Sequence, residues 1–194
     1  QFLEHILALE NSTNSKILWG LENPLMARAA VREAASQGFK FIKLWVDDRG
    51  GSQQKLAPML YRAVAEEASS LGLKVFIHQQ LAQDMPDLIT AGVDGFLHGR
   101  LGRSLGRETA RQLNRSGTFV VPNLGLGELR REAIGADPFL ADILSEEQLN
   151  QLSSSGNRRL TQVTRDTDAE EELRASFNAL LEANVDIVLG TDAG

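Results

Sequence analysis

Short apolar runs alternate with amphipathic helical segments along most of the chain, and this alternation limits the possible folds more than any other feature. The apolar runs have the length and the branched and aromatic content of β-strands. Strands that are separated by helices pair in parallel, through right-handed crossovers. The alternation therefore predicts an α/β fold with a parallel sheet.

The order of the predicted elements follows from their hydrophobic period and from the residues that begin and end them. Helices are expected at 2–9, 24–38, 54–71, 84–91, 105–115, 138–152 and 169–183. Strands are expected at 39–46, 73–78, 95–98, 119–121 and 186–189. Asn23 as the cap, Pro24 at the first helical position and Gly38 just past the end bound the second helix. Residues 124–168 break the alternation, and insertions of this kind lie over the substrate side of an α/β barrel.

Composition excludes several classes of protein and of site. The 194 residues are 42% hydrophobic and 24% charged, as in soluble globular domains with one core. The net charge of −6 argues against general nucleic-acid binding, which needs a basic surface. No cysteine is present, which excludes disulfides, thiolate metal sites and a cysteine nucleophile. No apolar run reaches the roughly 20 residues that span a bilayer, so no membrane partner is expected.

Both ends of the sequence favour a piece of a longer protein. The chain begins at Gln1 without an initiator methionine or a signal-peptide pattern, which leaves the compartment open and slightly favours the cytoplasm. It stops at Gly194, five residues after the last predicted strand. The edge strands of a sheet that is cut from a longer protein are open to pairing with more chain. We therefore expect a homo-oligomer, or pairing with the remainder of a longer chain.

Four polar side chains lie near the C-terminal ends of separate predicted strands: Lys43, His78, His98 and Asp192. Side chains alternate along a strand, so each shares a face with apolar neighbours. The expected shared faces are Phe41, Lys43 and Trp45; Phe76 and His78; Phe96 and His98; Val188 and Asp192. In a parallel barrel these strand ends converge on one rim, where active sites are built. We therefore expect the four side chains to meet there.

The segments around these residues resemble the amidohydrolase superfamily, most nearly its imidazolonepropionase-like and Xaa-Pro dipeptidase-like members. The resemblance rests on FIKLW at 41–45, VFIH at 75–78, AGVDGFLHG at 91–99 and GTDAG at 190–194. It implies a partial (β/α)8 TIM-type barrel that covers roughly strands 4 to 8, without the first strands. The chain would then be a single catalytic-barrel domain fragment over 1–194, with a variable insertion at about 124–168.

The resemblance also implies a site for one or two divalent metal ions, with zinc expected. Lys43 would react with carbon dioxide to form a carbamate that bridges two metals. That chemistry needs a neutral amine, which burial of the lysine between its aromatic neighbours would favour. His78 and His98 would bind the second metal. Asp192 would bind the first metal and accept a proton from the attacking water.

The activity implied by this resemblance is hydrolysis of a C–N bond in an amide, cyclic amide or peptide by metal-activated water. The substrate would be a small or dipeptide-like molecule. One departure bears on this site. The family places a His-x-His pair on its first strand, whereas this sequence has only His5, His78 and His98. The first metal would keep only the Lys43 carbamate and Asp192 from this chain.

Other interpretations of the same residues stay open. Lys43 could extend to the surface, or pair with Asp47 or Asp48. Either strand-end histidine could be a satisfied core or rim residue, and Asp192 could be a capping residue. The chain could then be a catalytically incomplete barrel fragment, or a non-catalytic α/β protein that binds a small molecule.

Overall fold

A computed structural model describes residues 2–14, 16, 18–98, 101, 105–124, 138–151 and 167–190. The helices are α1 (Phe2–Thr13), α2 (Pro24–Ser36), α3 (Pro58–Ser70), α4 (Met85–Thr90), α5 (Arg107–Ser116), α6 (Pro138–Ile143) and α7 (Thr167–Glu182). A 3₁₀ helix covers Ala82–Asp84, and residues 146–151 are also helical. The strands are β1 (Phe41–Val46), β2 (Lys74–Gln79), β3 (Gly95–Phe96) and β4 (Phe119–Val120). They form a parallel sheet in the order β1-β2-β3-β4, which confirms the predicted α/β class.

The chain divides into two compact units, which we describe separately. The first unit is Gln1–His78 with Pro86–Asp94, and it contains α1, α2, α3, β1 and nearly all of β2. The second unit is Gln79–Met85 with Gly95–Gly194, and it contains β3, β4, α5, α6 and α7. The single barrel domain with an insertion stays a prediction.

Helix α2 of the first unit begins where the sequence predicts. The side chain of Asn23 accepts a hydrogen bond from the backbone N–H of Met26 at 3.0 Å. This bond satisfies one of the N–H groups that the first turn of a helix leaves without a partner. The helix ends before Gly38, whose φ of +85° is a conformation that glycine adopts without strain. Ala27 and Val31, one turn apart, are buried in the packing of α2 against α3.

The two faces of β1 and β2 differ in burial, as the alternation of side chains predicts. Leu44 and Val46 are buried in β1, and Val75 and Ile77 are buried in β2. The opposite faces are more exposed and carry the aromatic side chains of Phe41, Trp45 and Phe76. The rings of Phe41 and Phe76 stack at a centroid distance of 5.4 Å. His78 lies on the same face of β2 as Phe76, so the prediction that these two residues share a strand face is confirmed.

Strands β3 and β4 of the second unit pair in parallel, with Gly95 opposite Phe119 and Phe96 opposite Val120. Phe96 and Val120 are fully buried on one face. On the other face, a Cβ atom added to Gly95 would lie 2.4 Å from two ring carbons of Phe119. The glycine therefore leaves the space that the phenylalanine ring occupies.

Several predicted elements are shorter in the structure. The strand expected at 95–98 ends at Phe96, because Leu97 and His98 form a turn and His98 has a φ of +44°. The prediction that Phe96 and His98 share a strand face is therefore wrong. The strand expected at 186–189 is reduced to one parallel bridge between Ile187 and Val120.

Among the helices of the described residues, none has the length and apolar character needed to cross a membrane.

Candidate active site

Lys43 lies on the half-exposed face of β1, but it is not buried as the sequence predicts. It is the third of the six strand residues, and its side chain is exposed. Its face is covered only in part, because Phe41 is 55% exposed and Trp45 is half-buried. The expectation of an amine buried between these two rings is therefore wrong for the described residues. Within them, Lys43 also forms no ion pair with Asp47 or Asp48.

His78 is held by a carboxylate that follows β1. Its Nε2 atom lies 2.9 Å from Oδ2 of Asp47, in a hydrogen bond that joins residues 31 positions apart. The side chains are 19% and 10% exposed, respectively, so water competes little for this bond. His78 is the fifth of the six residues of β2, close to the C-terminal end of that strand. The structure thus places His78 near the end of its strand, and its role at the rim of a barrel stays a prediction.

The loop after β1 orients the Asp47 carboxylate through its own backbone. Oδ1 of Asp47 accepts the N–H of Arg49 at 2.6 Å, while Oδ2 faces His78. Oδ1 of Asp48 accepts the N–H groups of Gly50 and Gly51 at 2.9 and 3.1 Å. Aspartate side chains commonly make such local bonds in turns. Both carboxylates that the sequence offers as partners for Lys43 are thus used within the loop.

The Asp47 carboxyl is stabilised in its charged form. Burial alone would raise the pKa of Asp47, but the hydrogen bonds from His78 and from the Arg49 amide outweigh it. The guanidinium of Arg49, and the imidazole of His78 whenever it is protonated, act in the same direction, and the pKa of Asp47 lies below its ordinary value. Asp47 is therefore an ionised acceptor at neutral pH.

An aromatic side chain and a cation complete the surroundings of the imidazole. The ring of Trp45 lies 5.6 Å from that of His78, at an interplanar angle of 56°. The guanidinium of Arg49 lies over the ring of Trp45, 4.8 Å from its centroid. Cation–π contact and ring packing restrict both side chains. Asp47, Trp45 and Arg49 are site residues that the sequence did not predict as such.

The second unit, taken by itself, has two polar residues just after its strands. His98 lies in the turn after β3, half-buried, with its backbone in the left-handed region. Asn123 follows β4, and its amide oxygen is buried and makes no hydrogen bond within the described part of the chain. The fourth predicted ligand, Asp192, lies outside the described residues.

The donor chemistry near His78 fits a divalent cation only in part. Imidazole nitrogen and carboxylate oxygen are ordinary zinc ligands, and a structural or catalytic zinc site uses three or four protein ligands. Across the residues that the structure describes, no group of three or more histidine, cysteine, aspartate or glutamate side chains is placed to hold a metal ion. The first unit thus contains two of the predicted ligands, Lys43 and His78, and His78 is hydrogen-bonded to the carboxylate of Asp47.

Comparison with known sequences finds distant relatives, and no family model matches the chain. It is 27% identical over 181 residues to the uncharacterized proteins Rv2915c of Mycobacterium tuberculosis and Mb2939c of Mycobacterium bovis. The alignment covers 90% of this chain and 42% of each relative. The chain therefore spans about two fifths of the length of the curated relatives that it matches.

Comparison with solved structures finds hydrolases of similar fold. A Xaa-Pro dipeptidase with methionine bound in its active site matches with a TM-score of 0.59 and 24% identity, over 94% of this chain and 44% of that enzyme. A putative prolidase from Bifidobacterium longum matches with a TM-score of 0.59 and 23% identity, over 91% and 40%. The ochratoxinase of A. niger matches with a TM-score of 0.58 and 20% identity, over 89% and 35%. At this identity the likeness establishes the fold: a parallel α/β fold consistent with part of a TIM-type barrel.

Proposed function

We propose that the chain is part of a metal-dependent hydrolase of the amidohydrolase superfamily that cleaves a C–N bond in an amide, cyclic amide or peptide. The observation that carries the proposal is the imidazole of His78, at the C-terminal end of a parallel strand and oriented by Asp47 at 2.9 Å. Catalytic groups of parallel barrels lie at this end of the strands. The solved structures of similar fold include a Xaa-Pro dipeptidase, a phenylurea hydrolase and an ochratoxinase.

The proposed metal ligands are Lys43, as a carbamate, with His78, His98 and Asp192, and zinc is the proposed ion. A bound divalent ion would lower the pKa of a water molecule and polarise the scissile carbonyl. Lys43 enters this set through the resemblance alone, because its side chain is exposed and not buried between aromatic rings. The left-handed backbone of His98 supports a role at the site, because such strain costs about 1–3 kcal/mol and is concentrated at functional positions.

The chain's own residues would orient the substrate and move a proton. Asp192 would accept the proton of the attacking water. The half-exposed face of β1 and β2 would bind the apolar part of a small or dipeptide-like substrate on Phe41, Trp45 and Phe76.

Zinc binding tests this proposal. The purified chain is titrated with zinc ions by isothermal calorimetry, and the same titration is made with His78→Ala. Loss of an imidazole ligand should lower the zinc affinity or the stoichiometry. His5→Ala is the matched control, since it removes the histidine of α1 and should leave both values unchanged. Equal zinc binding by the chain and by His78→Ala would contradict the assignment of His78.

The other interpretations receive less support. The solved structures of similar fold named above are hydrolases, which does not favour a non-catalytic binding protein or an inactive fragment. A homo-oligomer, or pairing with the remainder of a longer chain, is part of the proposal. Sedimentation velocity of the purified chain measures the first of these, and a monomer at all concentrations would exclude it.

A further inference from the structure

We propose that two copies of the chain associate through the open edge of β1, in an antiparallel and two-fold symmetric pairing of their β1 strands. The inference concerns assembly alone, so it goes beyond the proposed hydrolysis and does not depend on it. It rests on three features of β1 and its flanking residues: the position of the strand in the sheet, the exposure of its aromatic side chains and the order of its charges.

Strand β1 lies at one end of the sheet, in the order β1-β2-β3-β4. The carbonyl of Lys40 accepts the N–H of Lys74 at 3.0 Å, and this bond fixes the side of the chain that faces β2. Backbone groups point alternately to the two sides of a strand, so those of Phe41 and Lys43 point away from β2. Within the described residues, neither makes a backbone hydrogen bond on that side. Such an edge is a template for pairing with another strand.

Aromatic surface is exposed along the same edge. Phe39 and Phe41, which are two residues apart and so on the same side of the chain, are 56% and 55% exposed. Removing apolar surface from water is the main favourable term in most protein association, and aromatic side chains contribute large areas. A second strand along β1 would cover part of this surface.

The charges along β1 favour a second copy of the same strand as the partner. Lys40 lies directly before the strand and Asp48 lies two residues after it, so the start is basic and the end is acidic. The loop amides of Gly50 and Gly51 hold the Asp48 carboxylate near the strand end. An antiparallel copy places the basic start of one strand opposite the acidic end of the other, twice by symmetry. A parallel copy would place like charges opposite each other, which is destabilising.

The register follows from the two faces of the strand and from the charges. The two faces continue across the dimer only if even-numbered residues lie opposite even-numbered ones. A pairing centred on Lys43 would place this lysine opposite its own copy. A pairing centred on Trp45 would use only 44–46 of each strand. A pairing centred on Leu44 uses 42–46 of each strand and places Lys40 opposite Asp48, so it is the proposed register.

Sedimentation equilibrium of the purified chain and of Lys40→Glu tests the charge argument. Lys40 is exposed, so its substitution leaves the core intact. The variant has an acidic residue opposite Asp48 at both symmetric positions, and we expect its dimer to dissociate at least about 10-fold more readily. Added salt should weaken the dimer of the chain and strengthen that of Lys40→Glu, because it screens attraction in one and repulsion in the other. Lys16→Glu makes the same charge change outside β1 and should leave the dissociation constant unchanged.

Disulfide cross-linking tests the register, because the chain has no cysteine of its own. In the proposed pairing, Leu44 lies opposite its own copy without mutual hydrogen bonds, at a Cα distance of about 4.5 Å. This distance allows a disulfide, so Leu44→Cys should form a covalent dimer under mild oxidation. Phe41→Cys is the control: its thiol would be more exposed, but it would lie about 20 Å from its copy, at about 3.4 Å per residue. It should stay monomeric in non-reducing electrophoresis.

Three outcomes would overturn the proposal. The first is a monomer at all concentrations, which would leave this edge to another partner. The second is a dimer whose dissociation constant is the same in Lys40→Glu. The third is cross-linking of Phe41→Cys that is as fast as that of Leu44→Cys, since random collision favours the more exposed thiol. Zinc titration tests the proposed function separately, so failure of one proposal is distinguishable from failure of the other.

Discussion

The close approach of Phe119 to Gly95 predicts that adding one methyl group to this glycine has opposite effects in two backgrounds. Gly95 does not have a left-handed φ, so its backbone accepts alanine, and only the space matters. The new Cβ would lie 2.4 Å from two carbons of the Phe119 ring, and the ring or the strands would have to move. Overpacking of this kind costs about 1–3 kcal/mol of the free energy of unfolding.

In the Phe119→Ala background the ring is absent, and Gly95→Ala should stabilise by about 0.5–1 kcal/mol because alanine loses less backbone entropy than glycine. The entropy gain is the same in both backgrounds and cancels, so the coupling between the two substitutions is the overpacking cost of about 1–3 kcal/mol. Urea unfolding of the four proteins of this cycle, followed by far-UV circular dichroism, measures it. Gly20→Ala is the control, since a Cβ at Gly20 has no atom within 4 Å. A cost of Gly95→Ala that is equal with and without the Phe119 ring would refute the reasoning.

Three further substitutions test other parts of the fold. Asn23→Ala removes the acceptor of the Met26 N–H and should destabilise by about 1 kcal/mol in urea unfolding. Leu113→Ala opens a cavity at a fully buried position and should cost about 2–5 kcal/mol in the same assay. The hydrogen bond from the Tyr61 hydroxyl, and after it the contact with Arg62, lowers the pKa of Asp87 in the folded protein. The resulting stabilisation is fully present above the unfolded-state pKa of about 3.9. It is lost as the pH falls through the lower folded-state pKa. The free energy of unfolding, measured as a function of pH, should be lower for Tyr61→Phe than for the chain at neutral pH, and the two values should converge below about pH 4. A constant difference at all pH values would contradict this.

Local signals predicted the start of α2 and the two faces of β1 and β2. Asn23, Pro24 and Gly38 act through bonds and dihedral angles of their own neighbourhood, so the sequence is sufficient to place the ends of α2. Alternation along β1 and β2 places His78 on the face of Phe76 for the same reason.

Features that depend on distant parts of the chain were not predicted. The burial expected for Lys43 depends on what covers its face, which strand alternation cannot specify. The alternation fails at His98 because the chain turns after Phe96, and a turn removes the two-residue period. The bond between Asp47 and His78 joins two strands through their register and a loop conformation, and no spacing in the sequence indicates it.

The contact between Trp45 and His78 also gives the molecule an internal optical reporter. The chain has two tryptophans, and the other, Trp19, lies before α2. In a Trp19→Phe chain all indole emission would come from Trp45, which lies 5.6 Å from the imidazole and under the guanidinium of Arg49. A positively charged imidazole quenches a neighbouring indole, and a metal ion on its ring changes the local field. The intensity and wavelength of this emission would follow the state of the histidine in real time, without a label.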